Sequence, residues 1–289
     1  MILPINKLVD NRYIPTKFIA SGGMAEIYEA HDTYCHKAVA LKVIKEEFKD
    51  SVFELERFKN EARYASMFSH HHIIKIFNIG KYLDNFFISF ELMRGKTLKD
   101  LLDDRGYLSL GDTVNYVLQL LDATKYIHQR KVLHNDIKPE NIFMFLDGNI
   151  KLIDFGIATH IGEEGDKINA SILYTAPEVL RSGRYTVQSD IYATGVLIYE
   201  LLTGKNPFDK NLKSEEAIEY RLVAEVPSIK GKVHFVDFVD DIDYVIQKAT
   251  SKVLNNRYKN DEEITMDLMQ IKEGKHIVKK NIFQRIFGK

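Results

Sequence analysis

Val132 to Asn141, VLHNDIKPEN, crowds two acids, a lysine, a histidine and two asparagines into ten residues directly after a helical pattern. In such a turn Asp136 can accept the proton of an attacking hydroxyl, Lys138 can steady charge on a phosphoryl oxygen, and Asn141 can hold a metal ion. Thirteen residues past Asn141, Leu152-Ile153-Asp154-Phe155-Gly156 ends a strand pattern with a carboxylate, the hard oxygen ligand that Mg2+ prefers. Upstream, Val39-Ala40-Leu41-Lys42 sets a lysine at the end of an apolar strand, where an ammonium needs phosphate or carboxylate partners. Glu61, on the helix that follows, is such a partner, with Glu54 and Glu56 as alternatives. Gly22 and Gly23 lie between two strand-like runs, Ile19 to Tyr28, where a bare backbone can aim N–H groups at a phosphate, although ordinary turns carry the same pair.

The elements that must position these groups change character along the chain. Short β-type runs come first, at Tyr13 to Ala20, Ala25 to His31, Ala38 to Ile44, Ile73 to Ile79 and Asn85 to Leu92. One helix interrupts them from Ser51 to Met67, with Ser51 as its N-cap. Beyond Gly95 the patterns are helical: Thr97 to Asp103, Leu110 to Arg130, Ser189 to Thr203, Ser214 to Ala224, Asp240 to Ser251 and Asp261 to Lys272. The expected fold is therefore α+β and bilobal, with a β-rich part over 1–92, a larger helical part over 93–271 and a tail over 272–289. A ligand is expected in the cleft at the joint, Met93-Arg94-Gly95.

Composition narrows the function class. With 289 residues, 45% hydrophobic and 28% charged, the chain has ample material for a core, and a net charge of -1 gives no general pull toward nucleic acid or membrane. The single cysteine, Cys35, cannot form an internal disulfide, which suits a reducing compartment. No export-type N-terminus and no membrane-spanning run stands out, so the expected setting is the cytoplasm.

Taken in order and at these spacings, the motifs resemble the protein kinases of the Ser/Thr type, most of all the bacterial members related to eukaryotic ones, from about Tyr13 to Lys272. The resemblance implies ATP and Mg2+. It makes Ala20, Ser21, Gly22, Gly23, Met24 and Ala25 the phosphate-covering loop, gives Lys42 the α- and β-phosphates, and pairs Glu61 with Lys42. His134 then supports the catalytic loop, Asp136 is the base, Lys138 meets the γ-phosphate, and Asn141 and Asp154 hold the metal. Phe90 guards the back of the adenine pocket, Glu91 and Met93 give adenine its backbone hydrogen bonds, and Ile27, Ala40 and Phe143 stack on its faces. Ser171 bridges Asp136 and Lys138. Ala176-Pro177-Glu178, Asp190 to Gly195 and Arg257 complete a set that kinases of small molecules generally lack, which favours a protein substrate. Asp136-Ile137-Lys138-Pro139-Glu140-Asn141 is the Ser/Thr version, since tyrosine-specific relatives usually carry arginine and alanines where Lys138 stands. The alternatives are a pseudokinase that keeps only the fold, and a small-molecule phosphotransferase.

The chain also departs from the family. Ala20 replaces the first glycine of the loop and Ala25 the third, and Ala170-Ser171-Ile172-Leu173-Tyr174 replaces Gly-Thr-Pro-x-Tyr. Asn135 stands where an arginine usually grips a phosphorylated residue, and Thr159, Ser171 and Thr175 are the only hydroxyls besides Tyr174 between 157 and 175. Activity without loop phosphorylation is the expectation. Lys272 to Lys289 carries six basic residues against one acid. Its Val278, Ile282, Phe283, Ile286 and Phe287 fall on one helical face, the pattern of a segment that touches an anionic membrane surface or a partner's groove, or packs back on the helical part.

Overall fold

The computed structural model describes residues 1–163, 172–208 and 214–278. The chain forms two compact units, Met1–Gly95 with Ile153–Gly156, and Lys96–Leu152 with Ile157–Lys289.

In the first unit, strands β1 (Tyr13–Ser21), β2 (Ala25–Asp32), β3 (Lys37–Ile44), β4 (Ile76–Tyr82) and β5 (Asn85–Glu91) form one antiparallel sheet in the order β1-β2-β3-β5-β4. Helix α1 (Val52–Ser66) follows β3 and is capped by Ser51, whose hydroxyl accepts from the Glu54 N–H at 3.4 Å. Pleating sends alternate side chains to opposite faces. Tyr28, Val39, Leu41 and Val43 join Tyr13 and Phe87 in a core closed by Leu3 and Val9 from the N-terminal segment. That segment carries no period in the sequence, because isolated apolar residues in irregular chain leave none, and its packing was not expected. The strand expected from Ile73 starts at Ile76, since the Ile73 N–H is used in a turn by the His70 carbonyl at 3.3 Å. Lys42 does not end its strand either, for Val43 and Ile44 follow it in β3.

The second unit holds β6 (Gly95–Thr97), α2 (Leu98–Arg105), α3 (Leu110–Gln129), β7 (Val132–Leu133), β8 (Ile142–Phe145), β9 (Ile150–Leu152), β10 (Thr159–His160), α4 (Pro177–Ser182), α5 (Val187–Thr203), α6 (Ser214–Val223), α7 (Val239–Ala249) and α8 (Asp261–Lys272). Each helix foreseen in the sequence is present within two residues. Of the small strands only β9, the one that leads into Asp154, was expected; the others and the six-residue α4 are too short to show a period. Helix α5 is buried on every side from Ser189 to Leu202, with α3 and α7 packed against it. Gly195 allows its close approach to α7: a Cβ there would lie 2.8 Å from the Ala249 Cβ and 2.7 Å from the Thr250 Cγ2. Among the described residues no helix is long and apolar enough to cross a membrane.

Helix α5 stops at Gly204, whose φ of +72° favours glycine and whose missing side chain leaves room for the Gly106 carbonyl, 1.8 Å from where a Cβ would stand. Gly231 has a similar φ of +73° with nothing near. Gly204→Ala should therefore destabilise the fold by roughly 2–4 kcal/mol, against about 1 kcal/mol for Gly231→Ala. Urea unfolding of the two variants separates the steric cost from the backbone cost, and equal losses would remove the contact from the explanation.

Candidate active site

The ammonium of Lys42 lies 2.5 Å from the Glu61 carboxylate, and the two side chains are only 16% and 9% exposed. Glu61 reaches it from the buried face of α1. Glu54 and Glu56 instead pair along the helix surface, with Arg57 at 3.8 Å and Lys59 at 3.4 Å. Burial alone would lower the pKa of Lys42. Attraction to Glu61 and then to Asp154 outweighs it and holds the ammonium above its ordinary value. Asp154 adopts a positive φ of 62°, with one carboxylate oxygen accepting from the Gly156 N–H at 3.1 Å. Phe155 is fully buried with its ring 5.6 Å from that of Phe68, so apolar packing of the middle residue fixes the acid beside it.

Ile27 pairs with Lys42, and Ala40 precedes it by two, which puts the three on one face of the sheet with Phe90 opposite Ala40. The Glu91 N–H is taken by the Lys75 carbonyl at 3.0 Å, so a bond from Glu91 to a ligand must come from its carbonyl. Between β1 and β2 the Gly22 N–H donates to the Ala25 carbonyl at 2.9 Å. Neither Gly22, Gly23, Ala20 nor Ala25 has a positive φ, and a Cβ on Gly23 would meet nothing within 4 Å. The turn itself therefore does not require glycine; the missing side chains leave its backbone bare. This also explains why alanine fits at 20 and 25.

In the second unit, the catalytic-type turn is built around Asp136. Its Oδ2 accepts from the Lys138 ammonium at 2.7 Å and the Asn141 amide at 2.8 Å, and its own N–H donates to the His134 ring at 3.3 Å. The Asn141 amide also donates to the Asp136 carbonyl at 2.9 Å, which spends the nitrogen and turns the Oδ1 away. Phe143 is half-buried in β8, its ring 5.5 Å from Phe145.

Below this turn lies Asp190, 2% exposed at the start of α5. Its two carboxylate oxygens accept from the N–H groups of His134 and Asn135, each at 2.9 Å. His128 sits beneath, 2.9 Å from Asp190 and 2.6 Å from Asp261, and Thr124 donates to Asp261 at 2.7 Å. Sequence reading gave neither His128 nor Asp261 a role. Thr124 and His128 share a helix face four residues apart, but Asp261 arrives from α8 and nothing local connects them.

Asn135 has a positive φ of 67°, a conformation asparagine tolerates better than most residues. Its amide nitrogen donates at 3.0 Å to both the Ile157 carbonyl and the Thr159 hydroxyl. Thr159 and His160 then pair with Leu133 and Val132 as β10 against β7. Farther along, Tyr174 is buried and donates to Glu200, Thr175 is buried, and Arg257 forms a bidentate pair with Glu178 at 2.6 and 3.1 Å. Ser171 lies outside the described residues, as do the tail positions Ile282, Phe283, Ile286 and Phe287. The tail's first turn is described: Asp241 accepts from the N–H groups of Ile277 and Val278 at 2.6 and 2.9 Å.

Residues 13–276 match the family model described as the protein kinase domain. The chain is 35% identical over 268 residues to the serine/threonine-protein kinase PrkC of Bacillus subtilis, covering 91% of this chain and 41% of that protein. It is 32% identical to the probable serine/threonine-protein kinase PknB of Lactococcus lactis, covering 92% and 43%, and 33% identical to the serine/threonine-protein kinase PknL of Mycobacterium tuberculosis, covering 92% and 67%. The chain thus spans about two fifths of the length of the first two relatives.

The Asp190–His128–Asp261 stack sets a pH dependence. Burial lowers the His128 pKa, but the hydrogen bonds to Asp190 and Asp261 raise it from 6.5 to about 9. Below about pH 6.5 folded and unfolded chains both hold the proton, and the stabilisation is complete; it is lost as pH rises through about 9. Between pH 6.5 and 9.5 the wild type should lose about 3 kcal/mol more stability than His128→Gln. Parallel urea-denaturation curves for the two proteins across that range would contradict the assignment.

Proposed function

The chain belongs to the protein kinase family, and we propose that it is a Ser/Thr protein kinase that moves the γ-phosphoryl group of ATP to a protein hydroxyl. The observation that carries the reading is Asp136, buried at 4% exposure and held from three sides by Lys138, Asn141 and His134. A carboxylate pinned in this way is oriented before any substrate arrives, which is what a base needs. Asp136 accepts the hydroxyl proton as the hydroxyl oxygen bonds to phosphorus and the bond to the ADP oxygen breaks. Lys138 steadies the charge on the transferred group. Lys42, fixed by Glu61, takes the α- and β-phosphate oxygens. The loop from Ala20 through Ser21, Gly22, Gly23 and Met24 to Ala25 covers the phosphates. Ile27, Ala40 and Phe143 flank adenine, Phe90 closes its back, and the Glu91 carbonyl and Met93 backbone hold its edge.

Mg2+ fits the donor set, since the Asn141 amide oxygen and the Asp154 carboxylate are hard oxygen ligands and the Asn141 nitrogen is already spent on Asp136. Asn141 and Asp154 would hold the ion, which would supply positive charge against the phosphate oxygens. Lys42, Asp136 and Asp154 all being present speaks against a pseudokinase, and the Glu178–Arg257 pair speaks for a protein substrate.

The kinase reading includes activity without loop phosphorylation. Asn135 holds the start of the segment through neutral hydrogen bonds, and Thr159, Tyr174 and Thr175 are already bonded or buried. Lys42→Met and Asp136→Asn should each lower phosphate transfer to protein by at least about a hundredfold while circular dichroism shows both variants still folded at the assay temperature. Labelling with radioactive ATP reads the loss, and near-normal transfer in either variant sinks the site assignment. Phosphatase treatment of the wild type should leave its rate intact, whereas Asn135→Ala should lower kcat about tenfold by releasing Ile157 and Thr159. A phosphatase-sensitive rate would show that a phosphate, not Asn135, orders the segment.

A further inference from the structure

Arg221 in α6 is 1% exposed, yet its guanidinium meets no carboxylate among the described residues. Its Nε donates to the Ile172 carbonyl at 3.1 Å, one terminal nitrogen to the Tyr192 hydroxyl at 2.9 Å, and the other to the Thr175 carbonyl. Phe208 and Tyr192 cover its faces, with ring centroids 3.6 and 5.2 Å from the guanidinium carbon. Burial holds its pKa below the ordinary value, so the site is costly for a cation. An apolar side chain of the same volume would fill the space at less cost. What arginine adds is a rigid fork that fixes two carbonyls at a set spacing.

The two carbonyls belong to one turn. Ile172 directly follows Ser171, and Thr175 directly precedes Ala176-Pro177-Glu178. Tyr174 and Thr175 line the same water-sized cavity as Asp136 and Asn135, so the turn lies beside the base. A peptide that brings a hydroxyl to Asp136 must pass along it. We propose that Arg221 is a positioning residue for protein-substrate docking: its fork sets the 172–175 turn against which the acceptor peptide lies. This rests on Asp136 being the base. No phosphate enters the arrangement, for two main-chain carbonyls and the Tyr192 hydroxyl take the guanidinium's bonds. Asn135 at 157–159 and Arg221 at 172–175 hold the two ends of one segment.

Steady-state kinetics of the full chain with a degenerate Ser/Thr peptide mixture as acceptor tests the role. Arg221→Met should raise the peptide KM about tenfold and leave the KM for ATP within about twofold, with Arg221→Lys intermediate because a point charge holds one carbonyl but not two. Should the methionine variant not fold, the lysine variant carries the same comparison. A wild-type peptide KM in the variant that folds overturns the proposal, and so does a parallel rise of both KM values, which is the mark of general loosening. If the wild type and Asp136→Asn label the mixture equally, the kinase reading itself fails and Arg221 loses its role with it.

Discussion

A single buried carboxylate organises the turn that carries Asp136. Asp190 accepts from two successive backbone N–H groups, those of His134 and Asn135, and rests on His128. Burial works against its ionisation, but His128 and these donors hold its pKa below the usual carboxylate range. The ionised carboxylate can thus bind a backbone that adopts a positive φ at Asn135, a conformation that needs outside support. The Asp136 side chain is aimed only because this backbone is fixed. Asp190 in turn is fixed because α5 is the most buried helix of its unit, and His128 transmits that support onward to Asp261 on α8.

The other buried charges follow the same economy. Lys42 is surrounded by two acids, Glu61 in contact and Asp154 nearby, and its charge is retained because they outweigh desolvation. Three charges of mixed sign in a poorly hydrated site are weak evidence for stability, since burying them costs about as much as their attraction returns. What they do is hold an ammonium at a defined place on β3. Arg221 shows the contrasting solution, a cation satisfied by main-chain and hydroxyl oxygens and ring faces.

Asn135 gains meaning from the same geometry. A short amide here ties Ile157 and Thr159 directly to the turn that carries Asp136. The bonds are neutral, donated by an amide to a carbonyl and a hydroxyl, and they tie residues 157 and 159 to Asn135 without a charge.

Local chemistry was legible in the sequence. The alternation of β2 and β3, the cap at Ser51, the helix periods, and the spacing of Lys42, Asp136, Asn141 and Asp154 are written in neighbouring residues, because secondary structure and turn chemistry are set within a few positions. The Lys42–Glu61 pair was legible as well, since a lysine in an apolar strand demands an anion and the next helix offers few. Reading the sequence put Glu61 first among them, and it is the one in contact. The tertiary structure alone decided that Leu3 and Val9 close the sheet, that His128 bridges Asp190 and Asp261 across 133 residues, and that Arg221 grips a turn 46 residues upstream. These partners come from elements distant in the chain, and no period or motif encodes a distance that only packing closes.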